Sequence, residues 1–303
     1  MTPRRAFLSP SGALINPLRT ASGSTRGRRL AIGLLLAAGM FPVQPAFADL
    51  MINPTRIVFD KNRRAAQIDL INDGSASATY RLVIVNRRMS EAGEFNAVDK
   101  AGPGEQFADD MLVYSPHQIT LAPGAQQLVR VAVRKPEALA DGEYRSHLFF
   151  EKVADTTAEN DIESLGRKPA GEVGVTLTAL IGVSIPVIVR HGDTSAMVAI
   201  DNLALDKAVA GQAPLLSMQL NRSGTRSVYG DLTVSFKPQG GAEQVIGKAG
   251  GVAVYAPNPL RRAKLNLQVP AGMSLSRGTL SVTYQERPED GGKLMAASAI
   301  DLP

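Results

Sequence analysis

The stretch from Gly171 to Arg190 (GEVGVTLTALIGVSIPVIVR) constrains the fold more than any other part of the chain. From Val173 to Val183 every odd position is apolar (Val173, Val175, Leu177, Ala179, Ile181, Val183), and most even positions are small or polar, with Leu180 the exception. A period of two marks a β-strand with one apolar face. Extended at about 3.3 Å per residue, twenty residues run on the order of 65 Å, several times the usual strand of about five or six residues. One small domain cannot cover that length. The excess is therefore a candidate for pairing with another chain by strand addition. A long strand ending in an ordinary loop, or two strands separated by a bulge at Gly182, has the same pattern.

The remainder of the chain is equally strand-rich. Val, Ile, Thr, Gly and Pro recur between short turn signals, and Cys and Trp are absent, so the composition favours an all-β protein. At 303 residues there is room for two domains, each with its own core.

Strands are expected at Leu50 to Phe59, Ala65 to Ile71, Thr79 to Asn86, Leu112 to Leu121, Gln126 to Arg134 and Gly142 to Val153, ahead of the long one. Pro123-Gly124 gives a well-specified turn between the fourth and fifth. Glu91 to Met111 has no clear period and reads as a long connection, and Ala154 to Ala170 reads as a polar loop. Seven strands in about 140 residues suit an immunoglobulin-like sandwich.

His191-Gly192-Asp193 reads as the hinge to a second, smaller sandwich, whose strand-like segments run from Ala196 to Ile300. The fold class is thus all-β, two immunoglobulin-like β-sandwich domains, the first closed by a long edge strand. The expected division is 1–48 for a leader, 49–190 for the first domain and 191–303 for the second.

The leader has the order of a secretory signal peptide. A basic region ends at Arg28-Arg29, a short apolar run spans Leu30 to Phe41, and Ala46-Phe47-Ala48 fits the small-x-small cleavage rule, which puts cleavage after Ala48 and the protein in an exported compartment. Without cysteines an exported chain gains nothing from disulfides.

Residues 1–48 also carry six of the 33 basic residues and none of the 28 acidic ones, so the formal charge of +5 belongs to the leader and the body is near neutral. A nucleic-acid-binding surface spread over the fold is therefore not indicated.

Features of an enzyme are scarce. His117, His147 and His191 are too scattered for a metal-ligand motif, and there is neither a Gly-x-Ser-x-Gly elbow nor a phosphate-cradling glycine loop. Asp109-Asp110 and Glu289-Asp290 sit in loop-like stretches and read as solvated. No catalytic residue, metal, cofactor or small-molecule substrate is expected.

Several pieces together resemble the PapD-like periplasmic chaperones of the chaperone-usher pilus pathway: Asn53 to Phe59 (NPTRIVF), Leu121 to Gly124 followed by Val129-Arg130-Val131, Ser146 to Phe150 (SHLFF), and the long strand ending in Arg190. The resemblance covers Leu50 to Arg190, and the second domain only in size and strand count. It implies a periplasmic chaperone whose partners are pilus or fimbrial subunits and an outer-membrane usher.

In that family the long strand lends alternating apolar side chains to a subunit lacking its last strand. Val173, Val175, Leu177, Ala179 and Ile181 fall at the donor positions. The resemblance also implies an Arg and a Lys in the cleft between the domains, which anchor the subunit's terminal carboxylate. Arg56 matches the Arg. The Lys position holds Pro186, which has neither charge nor backbone donor. Arg145, on a neighbouring strand, is the candidate replacement. The competing reading is a secreted immunoglobulin-like adhesion or structural module, which would share the sandwiches and lack an accessible donor edge.

Overall fold

A computed structural model describes residues 50–153, 182–206 and 213–303. The leader expected at 1–48, the polar loop expected at 154–170 and the expected donor residues Val173, Val175, Leu177, Ala179 and Ile181 lie outside the described residues.

The described chain is built from strands, with two isolated 3-10 turns. Two sheets face one another in the first sandwich. One has the order β1 (Leu50–Asn53), β3 (Ala65–Asn72), β9 (Gln126–Val133), β7 (Leu112–Ser115). The other has the order β2 (Ile57–Phe59), β11 (Gly182–His191), β10 (Gly142–Lys152), β4 (Ala78–Val85), β8 (Gln118–Leu121). Inward side chains such as Phe59, Ile68, Leu82, Val129, Leu148 and Phe150 fill one core.

Two strands expected to be continuous are each divided between the sheets. Leu50 to Phe59 becomes β1 and β2, and Leu112 to Leu121 becomes β7 and β8. Each break falls at a proline, Pro54 or Pro116, which has no N–H to offer a ladder, so the chain leaves one sheet there and joins the other. The turn at Pro123-Gly124 forms as expected: Gly124 has a φ of 70° and the Ala125 N–H donates to the Ala122 carbonyl at 3.0 Å.

The stretch read as a featureless connection also contains structure. A hairpin of β5 (Arg87–Met89), just ahead of it, and β6 (Phe95–Ala97), within it, spans its start, and a 3-10 turn at Asp109–Met111 closes it. Strands of three residues are too short to show a period of two. The turn between them uses Gly93 at a φ of 89°.

The second sandwich pairs β12 (Ala196–Asp206), β13 (Leu215–Gly224) and β16 (Leu260–Asn266) in one sheet. The facing sheet has the order β15 (Gln244–Val254), β14 (Val228–Pro238), β17 (Gly278–Gln285), β18 (Leu294–Leu302). Leu216, Leu220, Val234, Phe236, Val282 and Tyr284 are in its core.

A third, smaller cluster joins the two sandwiches: Met89 and Ile188 from the first pack against Ala253 and Tyr255 from the second. Strand β10 runs beneath this joint. Its even positions Tyr144, Leu148 and Phe150 fill the first core, yet its odd positions Glu143, Arg145 and His147 are buried as well.

Candidate functional site

A cleft of about 590 Å³ lies between the sandwiches, and its walls come from both. The first sandwich contributes Arg56, Val58 and Arg190, and the second contributes Met197, Arg226, Tyr229, Asp290 and Leu294.

Arg56 is set by the sheet switch. Ile52 and Ile57 on either side of it are buried in the first core, so the link that carries Arg56 is pinned at both ends. Its guanidinium lies over the ring of Tyr229, with Cζ 4.4 Å from the centroid, a distance at which a cation is attracted by the ring's quadrupole. Its Nε is buried without a hydrogen-bond partner. Among the described residues no carboxylate pairs with it. The result is an oriented positive charge with no ion pair among the described residues, on the wall of a cleft that Asp60, Glu286 and Asp290 also line.

Arg226 also lines the cleft, without an ion pair among the described residues, and no motif in the sequence marks it. It sits in the connection before β14, a loop like many others in composition. The buried guanidinium of Arg222 organises this region, donating to the carbonyls of Gly224 (2.8 Å), Arg226 (2.9 Å), Asn258 (2.9 Å) and Pro257 (3.2 Å). Burial lowers the Arg222 pKa, although a guanidinium stays charged at any ordinary pH. With its own carbonyl held by Arg222, Arg226 presents a side chain that makes no ion pair among the described residues.

Arg190, at the end of β11, is not free in the same way. Its Nε donates to Glu143 Oε2 at 3.0 Å, and its carbonyl accepts from Lys135 Nζ at 2.5 Å. Glu143 in turn accepts from the Ser227 N–H at 3.1 Å and from the Ser227 hydroxyl. One carboxylate thus ties the end of β11 to the start of β14, across the joint. A charged hydrogen bond inside a protein is worth more than a neutral one, and loss of one partner strands the other.

Arg145 has a different place from Arg56. Only 6% exposed, it is not on the cleft wall: its guanidinium stacks on Tyr255 at 4.4 Å and donates to the carbonyls of Ala256 and Arg87, each at 3.3 Å. Burial lowers its pKa, with Tyr255, Glu143 and Glu105 acting in the other direction. Its charge is spent inside the joint. Pro186 pairs with His147 in the ladder between β10 and β11, also off the cleft wall.

Of the stretch expected to form one long strand, the described part is β11, Gly182–His191. Its odd positions Ile185, Val187 and Val189 are in the first core, whereas Val183 is 45% exposed. β2 covers β11 only over Val187–Val189, in parallel, so Gly182 to Pro186 has β10 on one side and no strand on the other among the described residues. Among the described residues this stretch is an open edge.

No family model matches the chain, and no curated protein matches it. Solved structures do. The YadV chaperone aligns at 10% identity and a TM-score of 0.40, over 84% of this chain and 100% of that one. Other solved structures align as well. They include the chaperone in the CsuC–CsuE pre-assembly complex of Acinetobacter baumannii (12% identity, TM-score 0.39, 84% and 98% covered) and the CupB2 chaperone of Pseudomonas aeruginosa (14%, 0.38, 83% and 99%).

Proposed function

We propose that the chain is a periplasmic chaperone of pilus or fimbrial assembly, which holds a subunit by its terminal carboxylate in the cleft and by strand addition along the row from Val173 to Val183. In this reading residues 1–48 are removed after Ala48, residues 49–190 form the chaperone domain, residues 191–303 form the second wall of the cleft, and the loaded complex is delivered to an outer-membrane usher.

The observation that carries the reading is Arg56. A guanidinium already oriented on Tyr229, with no acidic partner among the described residues and lining an open cleft, is prepared to bind an anion such as a chain terminus. Arg226, free on the opposite sandwich, supplies a second charge where Pro186 cannot. Arg145 serves the same site from behind, by holding the second sandwich in place. Such binding needs no chemical step.

The test is co-purification from periplasm. The wild-type protein should bring down a fimbrial subunit. Arg56→Ala should reduce recovery by about tenfold or more, since each charge-assisted bond is worth about 1.5 to 3 kcal/mol, and Arg226→Ala should also weaken it. If Arg56→Ala retains its subunit at the wild-type level, the cleft is not the anchor. If no subunit is recovered with the wild type under conditions of fimbrial expression, the adhesion-module reading takes its place.

A further inference from the structure

The hairpin of β5 and β6 leaves the first sandwich and is fastened to the second. The Met89 carbonyl accepts from Asn258 Nδ2 at 2.7 Å, the Glu91 carbonyl accepts from the Arg262 N–H at 2.7 Å, and the Glu91 side chain pairs with Arg262 at 2.6 Å. Met89 is in the small core of the joint with Tyr255 and Ala253. Gly93, at the tip, lies so close to Arg261 that a Cβ there would stand 2.5 Å from Nη2. The hairpin is a clasp across the two domains.

Under the clasp is His147. It is 1% exposed, and neither Nδ1 nor Nε2 has a hydrogen-bond partner. The ring of Phe95, from the hairpin, packs edge-on against it at 5.0 Å and touches Tyr255 at 5.8 Å, so one hairpin side chain covers the imidazole and reaches the second sandwich at once.

The charged groups acting on His147 are both cations, Arg145 on its own strand and Arg87 on β5. The ladder partners on β4 and β11 are Val85 and Pro186, which do not titrate, and Glu105 and Glu143 act on Arg145. An imidazole in such a place is uncharged. Accepting a proton would create a cation with no acceptor and two like charges beside it.

We propose that the β5–β6 hairpin is an acid-released clasp: protonation of His147 requires Phe95 to lift, and lifting the hairpin loosens the joint that forms the cleft. Burial first, then Arg145 and Arg87, hold the imidazole pKa at about 3 in the closed form, against 6.5 when it is free. The open form therefore binds the proton more tightly, and acid favours it. Closure is at full strength well above pH 6.5, and the open-to-closed ratio approaches a tenfold rise per pH unit as pH falls from 6.5 towards 3. This device does not depend on what the cleft holds.

Hydrogen–deuterium exchange of the peptide spanning 86–98, corrected for the intrinsic pH dependence of exchange, reads the opening directly. Between pH 6.5 and pH 5, above the ordinary carboxylate range, the opening constant of the wild type should rise about fifteenfold. In His147→Gln and His147→Phe it should stay flat. A flat wild-type profile, a Gln variant that keeps the wild-type slope, or loss of protection across both sandwiches together would overturn the proposal. The ring resonances of His147 in the wild-type protein give a second reading that needs no variant. A midpoint below pH 5 supports the clasp, and one near 6.5 refutes it.

Discussion

The guanidinium of Arg56 lies 4.4 Å from the centroid of the Tyr229 ring, so a charge from the first sandwich is aimed by a ring from the second. The relationship makes the cleft a property of both domains. Anything that shifts the second sandwich also disturbs the aim of Arg56.

Tyr229 is therefore expected to act on binding through Arg56. Tyr229→Phe keeps the face of the ring and should bind a subunit as the wild type does. Tyr229→Ala removes the platform and should cost about 1 kcal/mol, roughly fivefold in affinity. Neither variant should behave differently from Arg56→Ala when introduced on top of it, because the ring then has no guanidinium to orient. Isothermal titration with a peptide matching the carboxyl end of a fimbrial subunit checks all three. Additive losses in the double variant would mean that the two side chains act independently.

Glu143 is expected to govern how the two sandwiches unfold. Its carboxylate is buried and serves Arg190 and Ser227 together, so Glu143→Gln removes a charge from a pair that stays largely enclosed, at a cost of about 2 kcal/mol or more. Ser227→Ala keeps the charge and its backbone donor, and should cost about 1 kcal/mol. Urea unfolding followed at several wavelengths is the measurement. The wild type should lose both sandwiches in one transition, and Glu143→Gln should separate them into two. A single transition with an unchanged midpoint would show that the joint draws its strength from the apolar cluster alone.

These polar residues explain where reading from sequence reaches its limit. The strands at Ala65, Thr79, Gln126 and Gly142 and several in the second domain were legible because their own side chains alternate, whereas β15, interrupted by Gly247, Gly250 and Gly251, has no such period and only its end near Val252 was legible. Tyr144, Leu148 and Phe150 share one face of β10 by the same alternation. Glu143, Arg145 and His147 alternate with them and would ordinarily face water. They are buried because Tyr255, Ser227 and Phe95 cover them, and nothing local in the chain announces a cover supplied from so far along the sequence. The divided strands at Pro54 and Pro116 had a legible cause, since a proline breaks a ladder, but not a legible destination. Arg56 is singled out by the resemblance and lines the cleft, whereas Arg226 has no motif around it and is marked only by its place on the cleft wall.

Gly93 offers a mechanical test of the clasp at neutral pH. Its φ of 89° is unfavourable for any other residue, and a Cβ would displace Arg261. Gly93→Ala should cost about 1 to 3 kcal/mol, expressed mainly as opening of the hairpin. Limited proteolysis should then cut between residues 86 and 98 much faster than in the wild type while the cores of both sandwiches stay protected. Unchanged cleavage would show that Arg261 and the turn adapt without lifting the hairpin.

Burial changes sharply along the start of β11. Ile185 is 2% exposed and belongs to the first core, whereas Val183, two positions earlier, is 45% exposed. Ile185→Glu should therefore lower the stability of the free protein by about 3 kcal/mol or more, because it places a charge among apolar side chains with nothing to pair it. If the row from Val173 to Ile181 serves a subunit, Leu177→Glu and Ile181→Glu should have the opposite pattern. The melting temperature of the free protein should move little, within the range of about 0.5 kcal/mol usual for exposed positions, while subunit binding is lost. Thermal melts of the three variants, with and without a bound subunit, distinguish the cases. A melting point for Leu177→Glu or Ile181→Glu reduced as far as that of Ile185→Glu would place these side chains in the protein's own core and leave strand donation without support.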